Sequence, residues 1–501
     1  MKRDVQSLRE REFDLLIVGG GINGAALAHL AAARGKRVVL LEKNDFGSGT
    51  SSKSTKLIHG GLRYLEHFEF DLVAESLRER AVQLKSAPHL VRPLEFLIPV
   101  YRGDARPLWK MQLGVWFYDL LSGSRRIKPH RGLSAAQVLA LEPALRKEGL
   151  LGGITYYDAQ MDDARLVLEN VLSATSRGAI VANYVEVVDF LKVGGKVTGV
   201  KARDAVTGSE LTVRARKIVC AGGPWTNEFL KLEDPGAAAR VRTTKGVHVV
   251  YRGSLTNRAI FASARNDRRV FFIIPWKGNS LIGTTDTDYA GRPDAVASEA
   301  ADIEYLLGET RRYFPNVPLG QAGIITTFAG LRPLINEEGS PSQVSRRHVI
   351  FESSGGVVYV IGGKYTTYRI IALDTLRKIY KEERSGSENY PLYGSGNPAA
   401  SVKALVSQSG LKEATVQYLW DTYGSKCTRV LDLVRADAAL KESLCSCSPA
   451  IRAQVVYAIQ EEMAVRPEDV IQRRLPLGYL DCPSRNCRRE IGRLMPGLSS
   501  A

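Results

Sequence analysis

The chain has 501 residues, 24% of them charged, and a formal net charge of +16 at pH 7. This length is too great for one ordinary hydrophobic core and predicts two or three domains. The positive charge favours an anionic partner, such as a membrane surface, a nucleic acid or an acidic small molecule, without choosing among them.

The amino-terminal segment, MKRDVQSLRERE, has no apolar core of the kind found in a secretory signal. No uncharged apolar stretch reaches the roughly 20 residues that a membrane-spanning helix requires. We therefore expect any membrane contact to be peripheral.

The first motif is FDLLIVGGGINGAALAHLAAARGKRVVLLEKND, residues 13–45. A short apolar run ends at glycines, helix-forming residues follow, and a second apolar run ends at Glu42. Gly19, Gly21 and Gly24 match G-x-G-x-x-G, in which glycines allow a tight turn, close approach to a pyrophosphate and helix–strand packing. The phosphates would lie at the helix N-terminus, and Glu42 stands where a ribose-binding acid is expected. This order of elements predicts a site for NAD or FAD.

The next stretch, GSGTSSKSTKLIHGGLRYLEHFEF, is rich in hydroxyl groups, glycines and fixed charges. These groups supply many hydrogen bonds to the phosphates and ring edges of a polar ligand. A solvated loop is the alternative, but Leu57, Ile58 and Leu62 lie among the glycines and argue against it. Because no second G-x-G-x-x-G unit is available for a separate NAD site, the sequence favours a flavin.

Residues 106–131, RPLWKMQLGVWFYDLLSGSRRIKPHR, combine Trp109, Trp116, Phe117 and Leu121 with a basic flank. This composition is typical of a helix at a membrane interface. A core helix with an exposed basic end explains it as well, and from sequence alone we prefer the core helix. Positive charge elsewhere could still dock the chain on an anionic leaflet.

Two later strands also stop at glycines, in RKIVCAGGPW at Gly222 and in VVYVIGGKYTTY at Gly362. A helix is expected from about Asp163, a strand near Ala179, and a hairpin that turns at Gly194 and the next glycine. In a parallel sheet, the three strand-to-glycine stops could all surround one large ligand at the carboxyl ends of the strands.

The sequence predicts an α/β fold with three parts. These are a discontinuous, Rossmann-like FAD-binding domain, an inserted antiparallel-sheet substrate domain, and an all-helical C-terminal domain. We assign 1–80, 153–225 and 345–385 to the FAD-binding domain, 81–152 and 226–344 to the substrate domain, 386–398 to a linker and 399–501 to the helical domain.

Six cysteines begin only at Cys220 and suggest no disulfide framework, which fits a reducing compartment. Cys445 and Cys447 form a C-x-C pair, and Cys482 and Cys487 a C-x₄-C pair. Because both pairs lack C-x-x-C spacing and histidine companions, we interpret them as unligated thiols and predict no metal site.

Several motifs, taken in order, resemble those of the FAD-dependent glycerol-3-phosphate dehydrogenases. They are GGGING with Glu42, SSKSTKLIHGGLRYLEHFEF, MDDARLVLEN, CAGGPW, IPW followed by GTTDTDY, GLRPL and IGGKYTTYR. The resemblance starts at Phe13 and becomes looser beyond about Gly396. Gly222 stands where many relatives carry threonine, a change that the backbone turn should tolerate.

The resemblance implies that FAD is the cofactor, that sn-glycerol 3-phosphate is oxidised to dihydroxyacetone phosphate, and that a membrane quinone accepts the electrons. It also implies a set of residues that contact FAD. These are Gly19, Gly21, Ile22, Asn23, Gly24, Glu42, Lys43, Thr50, Ser51, Ser52, Ser54, Lys56, Leu57, Gly60, Gly61, Val185, Ala221, Gly222, Gly223, Trp225, Gly362, Gly363, Lys364, Thr366 and Thr367.

By the same resemblance, Arg63, Tyr64, Arg332 and Lys364 face the substrate. An arginine suits a phosphate because its planar fork donates two parallel hydrogen bonds, although either arginine could instead form a surface ion pair. His248 could accept the hydroxyl proton, with a structural histidine as the alternative. Lys364 could polarise the substrate oxygen, so we assign catalysis to His248, Lys364 and Arg332.

Other functions stay open at this point. An oxygen-using glycerol-3-phosphate oxidase is the nearest, and the absence of a large insertion disfavours it. An FAD amino-acid or amine oxidase and a flavin sensor without turnover are further alternatives. A nucleic-acid partner is disfavoured because the charge is distributed and no binding motif is present. We expect a cytoplasmic protein held peripherally on the cytoplasmic face of the inner membrane, and we consider a homodimer.

Overall fold

The computed structural model describes residues 1, 3–9, 11–265, 267–337, 347–381, 391–396, 401–482 and 486–495. Two large sheets form its centre, and helices cover them and make up its C-terminal part. The strands are β1 Glu12–Val18, β2 Val38–Leu41, β3 Leu57–Ile58, β4 Val91–Tyr101, β5 Arg131–Ser134, β6 Leu150–Met161, β7 Ile180–Ala182, β8 Val185–Val193, β9 Lys196–Asp204, β10 Glu210–Cys220, β11 Val241–Tyr251, β12 Ala259–Ser263, β13 Val270–Trp276, β14 Asn279–Gly283, β15 Thr287–Asp288, β16 Ile324–Ile335, β17 His348–Glu352 and β18 Val358–Gly362.

The helices are interspersed among the strands up to residue 380 and then follow one another in the C-terminal part. They are α1 Ile22–Ala33, α2 Phe70–Ser86, α3 Leu108–Ser122, α4 Ala135–Leu141, α5 Asp163–Thr175, α6 Thr226–Glu233, α7 Ala300–Tyr313, α8 Tyr368–Tyr380, α9 Val402–Ser409, α10 Glu413–Tyr423, α11 Cys427–Ala436, α12 Arg452–Glu462, α13 Pro467–Asp469 and α14 Asn486–Leu494. Among the described residues, no helix combines the length and the apolar character needed to cross a membrane.

The first sheet contains the three strands that end at glycines, β1, β10 and β18. Strands β7, β2, β1, β10 and β18 run parallel and side by side, and β17 pairs antiparallel with β18 at one edge. Helices α1, α5 and α8 cover one face, and the β8–β9 hairpin and α6 pack on the other. Because both faces are covered, β2 is buried along its whole length, as expected for a parallel strand.

The turn between β1 and α1 depends on two glycines. Gly19 has a φ of +104°, and a Cβ on it would lie 2.6 Å from the carbonyl oxygen of Ala221. A Cβ on Gly24 would lie 1.9 Å from the carbonyl oxygen of Gly19. Any side chain at Gly24 would therefore push α1 away from the end of β1.

The second sheet has ten strands in the described part of the chain, and nearly all of its pairings are antiparallel. Its longest pairings join β4 to β6 and β11 to β16. Strand β6 crosses the predicted domain boundary at residue 152/153 and pairs with β4 on both sides of it. Gly153 lies within this strand and lets the carbonyl oxygen of Ile98 approach closely.

Helix α3 is not the core helix that we preferred from its sequence. Met111 and Val115 are buried, but Trp109 is 66% exposed, Leu120 60% and Trp116 49%. The helix therefore shows a large apolar face to solvent.

The C-terminal part is helical, as predicted. Residues 386–390 and 397–398 of the predicted linker lie outside the described residues. Residues 391–396 dock on α5, where the backbone N–H of Gly394 donates to Glu169 (2.6 Å) and that of Tyr393 donates to Ser173 (2.8 Å). The described piece of the linker is thus a packed turn.

Two buried ion pairs attach the C-terminal helices to the first sheet. Arg474 and Asp45 are both fully buried, and Arg474 Nη2 donates to Asp45 Oδ1 over 2.8 Å. Arg165 of α5 pairs with Glu462 of α12 at 2.7 Å. Burial alone would raise the pKa of Asp45, but the positive charges of Arg474 and Arg473 prevail and lower it to about 2. The carboxylate is therefore ionised at neutral pH.

The prediction that the cysteines of the C-terminal part are separate thiols is wrong. The sulfur atoms of Cys445, Cys447, Cys482 and Cys487 all lie within 4.8 Å of one another, and those of Cys445 and Cys487 are close enough for a disulfide. The Cys445/Cys447 pair and the Cys482/Cys487 pair are distant in the sequence, and they become neighbours because α14 packs on α12.

We expect Arg474→Ala to lower the free energy of unfolding by about 3 kcal/mol, because Asp45 would keep its buried charge and lose one of its two arginine partners. Arg435→Ala is the control, since it removes an exposed ion pair with Asp432 in the same helical part and should cost about 0–1 kcal/mol. Guanidinium unfolding of both variants checks this. Equal midpoints would show that the buried pair does not stabilise the C-terminal part.

Candidate active site

A cavity of about 700 Å³ lies between the two sheets. The turns after β1, β2, β10 and β18 line one side, and β11, β16 and the segment between β2 and α2 line the other. Its volume falls within the range of ordinary ligand sites.

The part of the cavity beside the glycine turn is polar. Glu42 accepts hydrogen bonds from the backbone N–H groups of Gly20 (2.6 Å) and Asn44 (2.8 Å), and Ser51 accepts one from Ile22 (2.9 Å). Burial raises the pKa of the Glu42 carboxyl. Since each carboxylate oxygen has two acceptor sites, Glu42 can also accept from a ligand hydroxyl.

Most of the predicted FAD contacts line this cavity. They are Gly19, Gly21, Ile22, Asn23, Glu42, Lys43, Thr50, Ser51, Ser54, Leu57, Gly61, Val185, Ala221, Gly222, Gly223, Trp225, Gly362, Gly363, Lys364 and Thr366. Gly24, Ser52, Gly60 and Thr367 do not line it.

Lys56 is also placed away from the cavity. Its Nζ donates to Asp163 Oδ1 (2.6 Å) and to the carbonyl oxygen of Ser52 (2.8 Å), and both charged side chains are buried. Lys56 pairs with a buried aspartate and does not line the cavity, and its contact with FAD stays a prediction.

His248 lies on β11 and faces the cavity. Its Nε2 is 3.0 Å from Thr55 Oγ1, and its ring stacks on Phe328 with the centroids 4.8 Å apart. Gly283 on the adjacent strand makes room for the ring, since a Cβ there would lie 2.2 Å from it. Burial and the charges of Arg332 and Lys56 hold the pKa of His248 well below 6.5, so the imidazole is neutral at pH 7.

Arg332 lies on β16, the strand that pairs with β11. Its Nη1 is 3.0 Å from Asp286 Oδ1, and its Nη2 donates to Thr284 Oγ1 over 3.0 Å. Gly246 makes room for this guanidinium, because a Cβ there would meet Nη2. The arginine is therefore held in a fixed orientation at the cavity wall.

Lys364, Arg63 and Tyr64 form a second group. The Nζ of Lys364 lies 4.3 Å above the Tyr64 ring and donates to the carbonyl oxygen of Gly60 over 3.3 Å. The guanidinium of Arg63 lies 5.7 Å from the same ring. The structure thus brings all the predicted substrate residues to one cavity.

Three lining residues with important charge effects were missed from the sequence. Burial and the charges of Lys364 and Arg63 lower the pKa of His59 to about 3, and burial with the charge of Lys56 lowers that of Lys53 to about 8. Arg269 donates to the carbonyl oxygen of Asp286. His59 and Lys53 stand inside the hydroxyl-rich stretch, which could have revealed them, whereas no motif marks Arg269.

The residues of the cavity fit a dinucleotide. Gly19 and Gly21 lie at the N-terminus of α1, where the lack of side chains lets a ligand approach the backbone. Glu42 follows the next strand, as in a Rossmann-like site. This side of the cavity therefore has the groups that the nucleotide portion of FAD requires.

Family models match two successive parts of the chain. Residues 14–369 match FAD dependent oxidoreductases, and residues 385–497 match the C-terminal domain of alpha-glycerophosphate oxidase. The first match confirms the predicted cofactor, FAD, and both agree with the predicted fold class.

Relatives align with nearly the whole chain. A glycerol-3-phosphate dehydrogenase of Synechocystis is 38% identical over 95% of this chain and 91% of its own length. An aerobic glycerol-3-phosphate dehydrogenase of Staphylococcus aureus is 36% identical, with 94% and 87% covered. A glycine oxidase from Geobacillus kaustophilus, 22% identical with a TM-score of 0.57 over 75% of this chain and 96% of its own, shares the fold.

The solved structure of a glycerol-3-phosphate dehydrogenase from Bacillus halodurans, complexed with FAD, has a TM-score of 0.80 to this protein. It is 30% identical and covers 98% of this chain and 91% of its own. The resemblance noted in the sequence is thereby confirmed, and the chain belongs to the family of FAD-dependent glycerol-3-phosphate dehydrogenases.

Proposed function

We propose that this protein oxidises sn-glycerol 3-phosphate to dihydroxyacetone phosphate with FAD and passes the electrons to a quinone at a membrane surface. The observation that carries the proposal is a cationic wall beside a neutral, buried histidine. The cationic wall consists of Lys53, Arg63, Arg269, Arg332 and Lys364, which all line the cavity with His248.

The positive potential of this wall shows in its effect on nearby groups. Burial is the main cause of the lowered pKa of both His59 and His248; the charges of Lys364 and Arg63 lower that of His59 further, and the charge of Arg332 lowers that of His248 further. Asp286 offsets part of the charge through its pair with Arg332. Because these cations oppose further positive charge, the cavity favours an anionic ligand. A phosphate ester is such an anion at neutral pH.

Each side chain has its own role in the proposed reaction. Arg332 and Arg63 bind the phosphate, since a guanidinium offers two parallel donors to its oxygens. Lys364 lies near the substrate hydroxyl and stabilises negative charge on its oxygen. When bound, FAD supplies the acceptor for the hydride that leaves C2 of the substrate.

His248 accepts the hydroxyl proton in this proposal. Its neutral form already has a lone pair available at pH 7, because burial and neighbouring cations oppose protonation. A bound dianion partly cancels those cations and raises the pKa of the imidazole. The histidine thus becomes a stronger base only when substrate is present.

An anaerobic titration tests cofactor and substrate together. The purified protein should show a flavin band that bleaches when glycerol 3-phosphate is added, and a quinone analogue should restore it faster than air does. Faster recovery in air would assign the protein as an oxidase. Bleaching by amino acids, with no response to glycerol 3-phosphate, would overturn the proposed substrate.

Arg332→Ala should reduce kcat/KM for glycerol 3-phosphate by about 10- to 150-fold, the loss of a charged hydrogen-bonding group. Flavin content should not change. Arg242→Ala is the matched control, because Arg242 lies on the paired strand and its guanidinium bonds Asp288 rather than lining the cavity. Loss of FAD from Arg332→Ala would instead give this arginine a structural role.

His248→Ala should slow anaerobic flavin reduction by about 10²- to 10⁴-fold at pH 7.5, the usual contribution of a general base. His130→Ala serves as the control, since His130 pairs with Asp119 away from the cavity. Because the pKa of His248 is lowered in the free protein, its protonation should reduce the wild-type rate at low substrate concentration only well below pH 6.5. Stopped-flow absorbance at the flavin band measures both effects, and an unchanged rate would exclude His248 as the base.

Helix α3 supports the membrane part of the proposal. Trp109, Trp116, Phe117 and Leu120 are exposed on it, and Phe68, in the segment before α2 that packs against α3, is 78% exposed. Basic residues flank this apolar face at 106–110 and 125–128. Aromatic and aliphatic side chains beside basic ones are typical of a surface that enters the headgroup region of an anionic leaflet.

Trp109→Glu combined with Leu120→Glu should weaken vesicle binding at least about tenfold, because each removes a large apolar group from the lipid contact. Val193→Glu is the control, since Val193 is similarly exposed in the β8–β9 hairpin. Flotation with anionic vesicles measures binding. Turnover with a soluble dye as acceptor should not change, and equal flotation of all variants would contradict docking through α3.

A further inference from the structure

We propose that Cys445, Cys447, Cys482 and Cys487 form a tetrathiolate site for one zinc ion in the C-terminal helical part. The site lies outside the flavin cavity and does not depend on the proposed function. The four sulfur atoms, one from each cysteine, all lie within 4.8 Å of one another.

Four sulfurs in one cluster are better explained by a shared ion than by a disulfide. A disulfide between Cys445 and Cys487 uses only two of them. The sulfur of Cys447 lies 2.6 Å from that of Cys445 and 3.1 Å from that of Cys487, and the sulfur of Cys482 lies 3.5 Å from that of Cys487. A central ion would account for the convergence of all four.

The four sulfurs lie close enough together to share a single metal ion. A tetrahedral zinc with Zn–S bonds of about 2.3 Å holds its sulfurs about 3.8 Å apart, within the 4.8 Å that encloses this cluster. Four thiolates without histidine or carboxylate form a closed set of ligands that is typical of structural zinc.

The position of the cluster suggests what the ion stabilises. Cys445 and Cys447 precede α12, whereas Cys487 lies in the first turn of α14 and Cys482 follows the segment that carries Tyr479. Tyr479 is buried, and its ring lies 5.8 Å from that of Phe328, on which His248 stacks. A metal ion would therefore fix two helices and the segment that packs beneath the cavity wall.

The test begins with the untagged full-length holoenzyme. Elemental analysis should find about one zinc per chain, and alkylation after denaturation in chelator without reductant should modify all six cysteines. Four alkylated cysteines and no metal would replace the proposal with a disulfide. Iron with acid-labile sulfide would replace it with an iron–sulfur cluster.

Cys447→Ser and Cys482→Ser separate the two explanations further, since neither residue belongs to the Cys445–Cys487 disulfide. Each should lower zinc content several-fold and reduce the thermal midpoint, whereas the control Cys427→Ala, a buried cysteine of the same helical part, should keep its zinc. Unchanged zinc in both serine variants would overturn the site.

A measurement on the wild type avoids the risk that these variants do not fold. Cells grown with cobalt in place of zinc should yield protein with the intense ligand-field bands of tetrahedral cobalt thiolate, beyond the flavin absorption. A cobalt-grown protein without these bands would count against four thiolate ligands.

Discussion

The close packing of helix α1 on the carboxyl end of β1 is the constraint on which the cavity depends. It is set by Gly24, whose missing Cβ allows contact with the carbonyl oxygen of Gly19. Because β10 and β18 run parallel to β1, their own glycine turns end beside this helix. Three segments that are far apart in the sequence thereby form one wall, and the ligand position follows from the direction of the strands.

The second sheet provides the reactive side of the cavity, and there too small residues create the space. Gly246 and Gly283 leave room for the side chains of Arg332 and His248 on neighbouring strands. A guanidinium and an imidazole can then lie close together with their hydrogen bonds to Thr284 and Thr55 intact. Such groups are held before substrate arrives, which reduces the reorganisation needed for catalysis.

Local patterns predicted the nucleotide half because strand, glycines, helix and acid follow one another within residues 13–42. They could not separate Lys53 from Lys56, since only tertiary packing decides which lysine meets Asp163 and which faces the cavity. The exposure of Trp109 could not be predicted either, because the composition of α3 is the same whether or not another part of the protein packs on it. The cysteine cluster escaped detection for a related reason, as its two halves meet only when α12 and α14 pack.

The pairing of Asp45 with Arg473 and Arg474 joins residues 428 and 429 positions apart. A ribosome synthesises Asp45 more than 400 residues before the two arginines. Until the arginines are made, the loop after β2 lacks the cations that compensate its buried carboxylate. The native form of the FAD-binding part can thus be completed only after residue 474 has emerged, although its glycine motif is made more than 400 residues earlier.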